Sequence, residues 1–364
     1  MTVTRAQTNA LAATLRAGFE AHGALPVEPP ILQPAETLLD LYGEDIRARA
    51  YVTSDALRGE QMLRPDFTVP VVQMHMAHGA DPARYTYAGE VFRRQEHDES
   101  RPNEFVQVGY EVFERTDPAA SDAEVFALIS QALSGLPVTA VTGDIGILMA
   151  VVRGLNTTDL RKNALMRHIW RPRRFRALLA QFSGDMPSAP AREAVLAGTV
   201  EASAPLVGAR RQHEIDARIA ALRSDAQAPP LPLRDVELIE MLLGLSAPMP
   251  AALERLHDLS VDLPSIVPAV ARVAARQQAL AAHGIDVEKL LFDASYGRSS
   301  MEYYDGFVFG FRAVDRLDLP LLASGGRYDA LTRRLGARLG DNREIPAVGG
   351  VMRPGVMLEL GAVI

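Results

Sequence analysis

With 364 residues, 48% of them hydrophobic and 23% charged, the chain can bury a sizeable core in more than one compact unit and has the make-up of an ordinary globular protein. No run approaches the roughly 18 apolar residues that would span a bilayer, and the lack of cysteine excludes disulfides, thiolate metal sites and a cysteine nucleophile. A net charge of −7 repels polyanions, so nucleic-acid binding would need a local basic face.

Residues 1–22 read as an amphipathic helix with Leu11, Leu15 and Phe19 on one stripe. They lack the basic start and apolar core of a secretion signal, so a cytoplasmic location is expected. Residues 25–150 mix helix with β-rich runs at 85–92 and 105–113, and Ser121 with Glu124 forms a capping box that predicts a helix start. Met74-His75-Met76 and His78 lie on an apolar, helical stretch with no carboxylate in ligand spacing, which predicts packing and no metal. From 151 to 283 the strands disappear, and Ala-, Leu- and Arg-rich helical pattern is punctuated by Pro229, Pro230, Pro232, Pro248 and Pro250. Within that block, the basic run at residues 167–176 interleaves arginines with Trp170 and Phe175, the pattern of a nucleic-acid contact. A solvated helix face or a protein interface is the expectation for a chain that is acidic overall. Strand signals return at 290–293 and 303–311, followed by a turn at Gly325-Gly326 and a helix through Leu335. The expected fold is therefore α+β: an antiparallel sheet flanked by helices, divided by a helical insertion over residues 146–285 into a first core part, 1–145, and a second, 286–364.

P-loop, zinc-protease, nucleophile-elbow and dinucleotide signatures are all absent. What remains are polar clusters among strands. Gln107, Gly109 and Glu111 share one strand face, so two polar groups can point into a pocket beside a glycine that leaves room for a ligand. Asp66, Thr68, Gln107 and Glu111 would accept hydrogen bonds from an ammonium, and Arg93 would hold a carboxylate. Glu111, Tyr303, Tyr304 and Tyr328 would match an imidazole, so the inventory suits histidine. Solvent-facing strand residues, packing tyrosines and an Arg93–Glu111 ion pair would present the same residue types, and residue types alone favour that plainer reading.

Longer motifs overturn it. Residues 30–36, Pro-Ile-Leu-Gln-Pro-Ala-Glu, resemble the first motif of class II aminoacyl-tRNA synthetases, which forms their dimer interface. Leu63-Arg64-Pro65-Asp66-Phe67-Thr68 is similar to the L-R-P-E-G-T of histidyl-tRNA synthetases, and residues 91–111 resemble their second motif with matching spacing. Glu302-Tyr303-Tyr304 resembles the end of R-G-L-D-Y-Y, Gly325 to Asp329 reproduces G-G-R-Y-D, and Pro346-Ala347-Val348-Gly349 resembles the opening of the third motif. The resemblance covers residues 5–150 and 290–360 and implies a class II synthetase-like core with a histidine pocket at Asp66, Thr68, Arg93, Gln107, Glu111, Tyr303, Tyr304 and Tyr328.

The departures fall on the groups that handle ATP. The arginine of R-G-L-D-Y-Y aligns with Ser299, Arg298 being one residue out of register; the E-R closing the third motif aligns with Gly355-Val356; the acid two residues after Arg93 is Gln95. Losing a preorganised cation typically costs about 10²-fold in rate. The chain also ends at Ile364, where the synthetases continue into an anticodon-binding domain, so neither aminoacylation nor tRNA binding is expected. A histidine pocket without catalysis resembles the family of regulatory subunits that accompany the short form of ATP phosphoribosyltransferase. That resemblance implies a cofactor-free, non-catalytic chain, homodimeric within a hetero-oligomer with the catalytic subunit, that conveys feedback inhibition by L-histidine in the first step of histidine biosynthesis. The rival is a histidyl-tRNA synthetase or another amino-acid-activating paralogue using ATP, with Arg101 and Arg327 taking over the nucleotide contacts.

Overall fold

The computed structural model of the chain describes residues 3–36, 44–95, 101–199, 207–298, 302–339 and 343–364. The first helix, α1 (Arg5–Ala21), opens on a capping box in which the Thr4 hydroxyl accepts from Gln7 N at 3.2 Å while Gln7 Oε1 accepts from Thr4 N at 3.0 Å. Its buried stripe is Leu11, Ala12, Leu15 and Phe19, as the periodicity requires.

The strands described are β1 (Leu25–Pro26), β2 (Leu32–Pro34), β3 (Val52–Asp55), β4 (Gly59–Leu63), β5 (Ala83–Phe92), β6 (Glu104–Phe113), β7 (Val138–Asp144), β8 (Ser246–Pro248), β9 (Leu291–Asp293), β10 (Phe307–Ala313), β11 (Ala323–Arg327) and β12 (Ala347–Met352). Nine form one sheet in the order β1-β5-β6-β12-β11-β10-β7-β9-β8, and β2-β4-β3 form a small second sheet. The large sheet is mixed, not wholly antiparallel as expected, because β1 pairs with β5 and β7 with β9 in parallel. Both parallel pairs are joined by long connections, the first through β2–β4 and two helices, Glu44–Arg49 and Thr68–His78, the second through the helical block, and only such crossovers permit parallel pairing. Helix α1 lies across β5 and β6, where Phe19 stacks on Tyr110 with centroids 5.2 Å apart.

Five further elements carry the helices of the core: α2 (Glu44–Arg49), α3 (Thr68–His78), α4 (Pro118–Ala132), α13 (Asp329–Leu339) and α14 (Pro354–Glu359). Helix α4 starts three residues before the expected capping box. Asp117 Oδ1 accepts from Ala120 N at 2.9 Å and Pro118 occupies the first turn, so Ser121 lies inside the helix and its hydroxyl donates to the Asp117 carbonyl. Phe307, Phe309 and Phe311 alternate along β10, and all three rings meet Phe126 of α4 with centroids 5.1–6.4 Å apart. His75 packs as expected, its ring stacked 3.9 Å from that of Phe113, whereas His78 is exposed.

Between β7 and β9 run α5 (Ile145–Gly154), α6 (Asp159–Arg167), α7 (Pro172–Ser183), α8 (Pro190–Ala197), α9 (Gln212–Ala226), α10 (Leu233–Leu243), α11 (Met249–Asp262) and α12 (Val267–Ala282). This stretch is not strand-free as expected. Ser246-Ala247-Pro248 forms β8 at the edge of the main sheet, the position at which a strand containing proline is tolerated. Helix α12 packs along α4. Among the described residues no helix is long and apolar enough to cross a membrane.

Candidate functional site

Glu111 on β6 is fully buried, and three hydroxyls converge on its carboxylate. Thr68, the first residue of α3, donates to Oε1 at 3.0 Å; Tyr87 of β5 donates to Oε1 at 2.8 Å; Tyr328, just beyond β11, donates to Oε2 at 2.5 Å. Burial raises the Glu111 carboxyl to about 7, against the opposing pull of the three hydroxyls. The Tyr87 and Tyr328 phenols are pushed well above their ordinary range by the same burial and by the nearby carboxylate, so both remain donors at neutral pH.

Glycines make the space for this arrangement. Gly349 of β12 is the ladder partner of Glu111, and a methyl group there would overlap the Glu111 carboxylate. Gly109 was expected to leave room for a ligand; the structure fills that room with the ring of Tyr87, its cross-strand partner. Gly349→Ala is therefore expected to displace the Glu111 carboxylate and destabilise the sheet, by about 1–3 kcal/mol of overpacking. Chemical denaturation reads the loss; a midpoint equal to wild type would show that the strands can part without penalty.

The remaining residues singled out in the sequence cluster around this centre. Tyr303 OH lies 3.4 Å from Asp66 Oδ2, its ring meets that of Tyr304 edge-on at 4.8 Å and stands nearly perpendicular to that of Tyr328 at 6.1 Å. Tyr303 and Tyr304 precede their strand: β10 begins at Phe307, where the ladder with Asp144 starts, and burial with Glu111 nearby raises the Tyr304 phenol above its ordinary range. Gln107, two positions along the same face of β6, is wholly buried, yet neither its amide nitrogen nor its amide oxygen has a partner among the described residues. An unmet buried amide costs about 1–3 kcal/mol, which a bound polar molecule would offset.

Arg93 does not pair with Glu111. Its Nε donates to the Pro65 carbonyl at 2.7 Å, and its guanidinium faces the ring of Phe105, which it shares with Arg353. Both arginines line a cleft of about 600 Å³ together with Arg49, Arg101, Gly355 and Val356. Burial, with Arg93, Arg101 and Arg49 nearby, lowers Arg353 to about 9. Arginines thus gather in the cleft although the third motif lacks its own, and Glu90, Glu104, Asp318 and Glu359 line it as well.

Two other arginines that could have replaced the lost cations are committed elsewhere. Arg298 turns into the helical block, its Nε donating to the Ile169 carbonyl at 2.9 Å and its guanidinium lying over the Phe175 ring. Arg327 is held by Asp122, at 3.0 Å through Nε and 2.6 Å through Nη2. Ser299 lies outside the described residues. The residue that sequence reasoning missed is Tyr87. Its signal was a tyrosine directly across the hairpin from the glycine between Gln107 and Glu111.

The sheet order and a carboxylate enclosed by tyrosines define a histidyl-tRNA-synthetase-type core, and the family model described as "Histidyl-tRNA synthetase" matches residues 4–354. Among solved structures the fold is similar to an ATP phosphoribosyltransferase regulatory subunit/histidyl-tRNA synthetase from Bacillus halodurans, with a TM-score of 0.69 at 22% identity over 100% of this chain and 82% of that one. It is also similar to histidyl-tRNA synthetase from Nostoc sp. PCC 7120, with a TM-score of 0.63 at 18% identity over 97% of this chain and 70% of that one. Curated relatives named ATP phosphoribosyltransferase regulatory subunit include one from Agrobacterium fabrum, 34% identical over 91% of both chains, and one from Brucella melitensis, 30% identical over 96% of both. The chain belongs to this family of ATP phosphoribosyltransferase regulatory subunits with a histidyl-tRNA-synthetase-like fold.

Proposed function

We propose that the chain is a non-catalytic regulatory subunit that assembles with a short-form ATP phosphoribosyltransferase catalytic subunit in the cytoplasm. It supports the first step of histidine biosynthesis and conveys feedback inhibition by L-histidine bound beside Glu111. The observation that carries this reading is the buried Gln107 amide, without a partner among the described residues, on the strand face it shares with Glu111, while Arg298 and Arg327 are committed elsewhere. In this assignment Glu111 and Tyr303 or Tyr304 face the imidazole, with Tyr328 bracing the carboxylate. Asp66, Thr68 and Gln107 receive the ammonium, and Arg93 holds the carboxylate end. Domain-wise, residues 1–145 and 286–364 form the binding core and 146–285 the helical insertion. Exposed Ile31, Leu32 and Val52 around the small β2-β4-β3 sheet support a homodimer through the Pro30 region within the hetero-oligomer.

Regulation then works by linkage: histidine binds one quaternary state better and shifts the partner's equilibrium, typically by about 1–3 kcal/mol. The test is the rate at which the catalytic subunit condenses ATP with phosphoribosyl pyrophosphate, with and without this chain and with and without L-histidine. Strong activation that histidine suppresses is the expected result. An unchanged rate, with the two proteins failing to associate, would overturn the proposal, and ATP–pyrophosphate exchange stimulated by histidine would favour an activating enzyme.

A further inference from the structure

The basic run at residues 167–176 has no role in the pocket, and the fold separates its two kinds of side chain. Its apolar and aromatic members turn inward. Ile169 and Phe175 are fully buried, and Trp170 is partly buried with its indole nitrogen shielded from solvent. Its arginines turn outward: Arg167, Arg171, Arg173, Arg174 and Arg176 are all exposed. Arg176 is paired with Glu240 and Arg171 with Glu302, whereas Arg167, Arg173 and Arg174 have no ion pair among the described residues. Burial, and then the crowding charges of Arg171, Arg174 and Arg167, lower the His168 pKa. This is a concentrated cationic face on a chain whose net charge is −7.

We infer that this face, at the α6–α7 corner, is the docking surface for an acidic patch on the catalytic partner, an inference that rests on the regulatory-subunit reading above. Nucleic acid fits less well. Binding single strands draws much of its energy from bases stacking on exposed aromatic rings, and here Phe175 is in the core and Trp170 is packed against it, leaving mainly guanidinium groups to make contacts. Guanidinium groups without carboxylate partners suit instead the charged rim of a protein interface, where complementary charge sets encounter rate and register.

The corner is also tied to the pocket. Arg298 fastens the Ile169 carbonyl, and Arg171 reaches Glu302 at 3.5 Å, the residue immediately before Tyr303. A partner carboxylate that draws Arg171 away from Glu302 would loosen the segment carrying Tyr303, whose hydroxyl faces Asp66.

The experiment is sedimentation velocity of the full chain with the short-form catalytic subunit at low and high salt, wild type against Arg173→Glu/Arg174→Glu. The double variant is expected to bind about tenfold more weakly or worse, with Arg173→Gln/Arg174→Gln intermediate, and wild-type affinity should fall with salt more steeply than that of either variant. Unchanged L-histidine binding and melting temperature show that the variants are folded. Undiminished association of the charge-reversed chain overturns the surface alone; a wild-type chain that does not bind the catalytic subunit at any salt overturns the partner reading and this surface with it. Retention of a labelled mixed-sequence single-stranded RNA by the wild type, abolished by the charge reversal, would reassign the face to nucleic acid and overturn the proposal.

Discussion

Glu111→Ala is expected to weaken L-histidine binding by about a hundredfold, the loss of about one charge-assisted hydrogen bond's worth of affinity. The carboxylate is the one charged acceptor at the centre of the hydroxyl cluster, and its removal leaves the Thr68, Tyr87 and Tyr328 hydroxyls without their shared partner. Isothermal titration calorimetry checks the affinity, and a variant that binds histidine as tightly as wild type would sink the pocket assignment. A second signature lies in pH. The Glu111 carboxyl stands at about 7 in the fold against 4.5 ordinarily, so between those values the folded state holds more of this proton than the unfolded state. Its contribution to stability is fully present below pH 4.5 and is lost as pH rises through 7. Glu111→Gln should abolish that component, so that wild type loses stability relative to the variant across this window.

A loss of stability of comparable weight is expected at Asp122. Its Oδ2 accepts from Arg276 Nε at 2.8 Å and its Oδ1 from Arg327, while Arg276 also reaches Asp144 at 3.0 Å and lies over the Phe307 ring. The three residues that meet at Asp122 are each at most 5% exposed. Removing one member of such a network strands the others in a low-dielectric interior, and Asp122→Ala leaves two guanidinium groups short of a carboxylate, costing about 3–5 kcal/mol. Urea denaturation measures the effect. A loss below about 1 kcal/mol would mean that water reaches the network and screens it as it does at a surface.

These two sites differ in how far they could be read from sequence. Asp66, Thr68, Glu111 and Tyr328 stand in short motifs whose spacing is visible, and β6 alternates so that Gln107 and Glu111 had to share a face. Tyr87 escaped because nothing in a run of strand residues says which tyrosine will cross to the partner strand, and Gly109 was given to a ligand when its space belonged to that ring. The Asp122 network was invisible: Arg276 is 154 residues away on α12, and only the folded packing of α12 against α4 brings them together. Strand β8 was hidden by its prolines, since three residues at a sheet edge carry no alternation to detect. The helices followed their apolar stripes wherever a stripe was long enough, as in α1 with Leu11, Leu15 and Phe19.

Glu111 and Tyr328 meet across 217 residues of chain, and Gly349, which makes room for the carboxylate, comes later still. Neither half of the sheet contains the finished cluster. A nascent chain that has produced β5 and β6 holds the acid without the phenol of Tyr328 or the glycine, and must wait for the final strands before any small molecule can be recognised. On the proposed histidine reading, recognition is a property of completed synthesis and folding, and a molecule bound there would clasp the first and last portions of the polypeptide together.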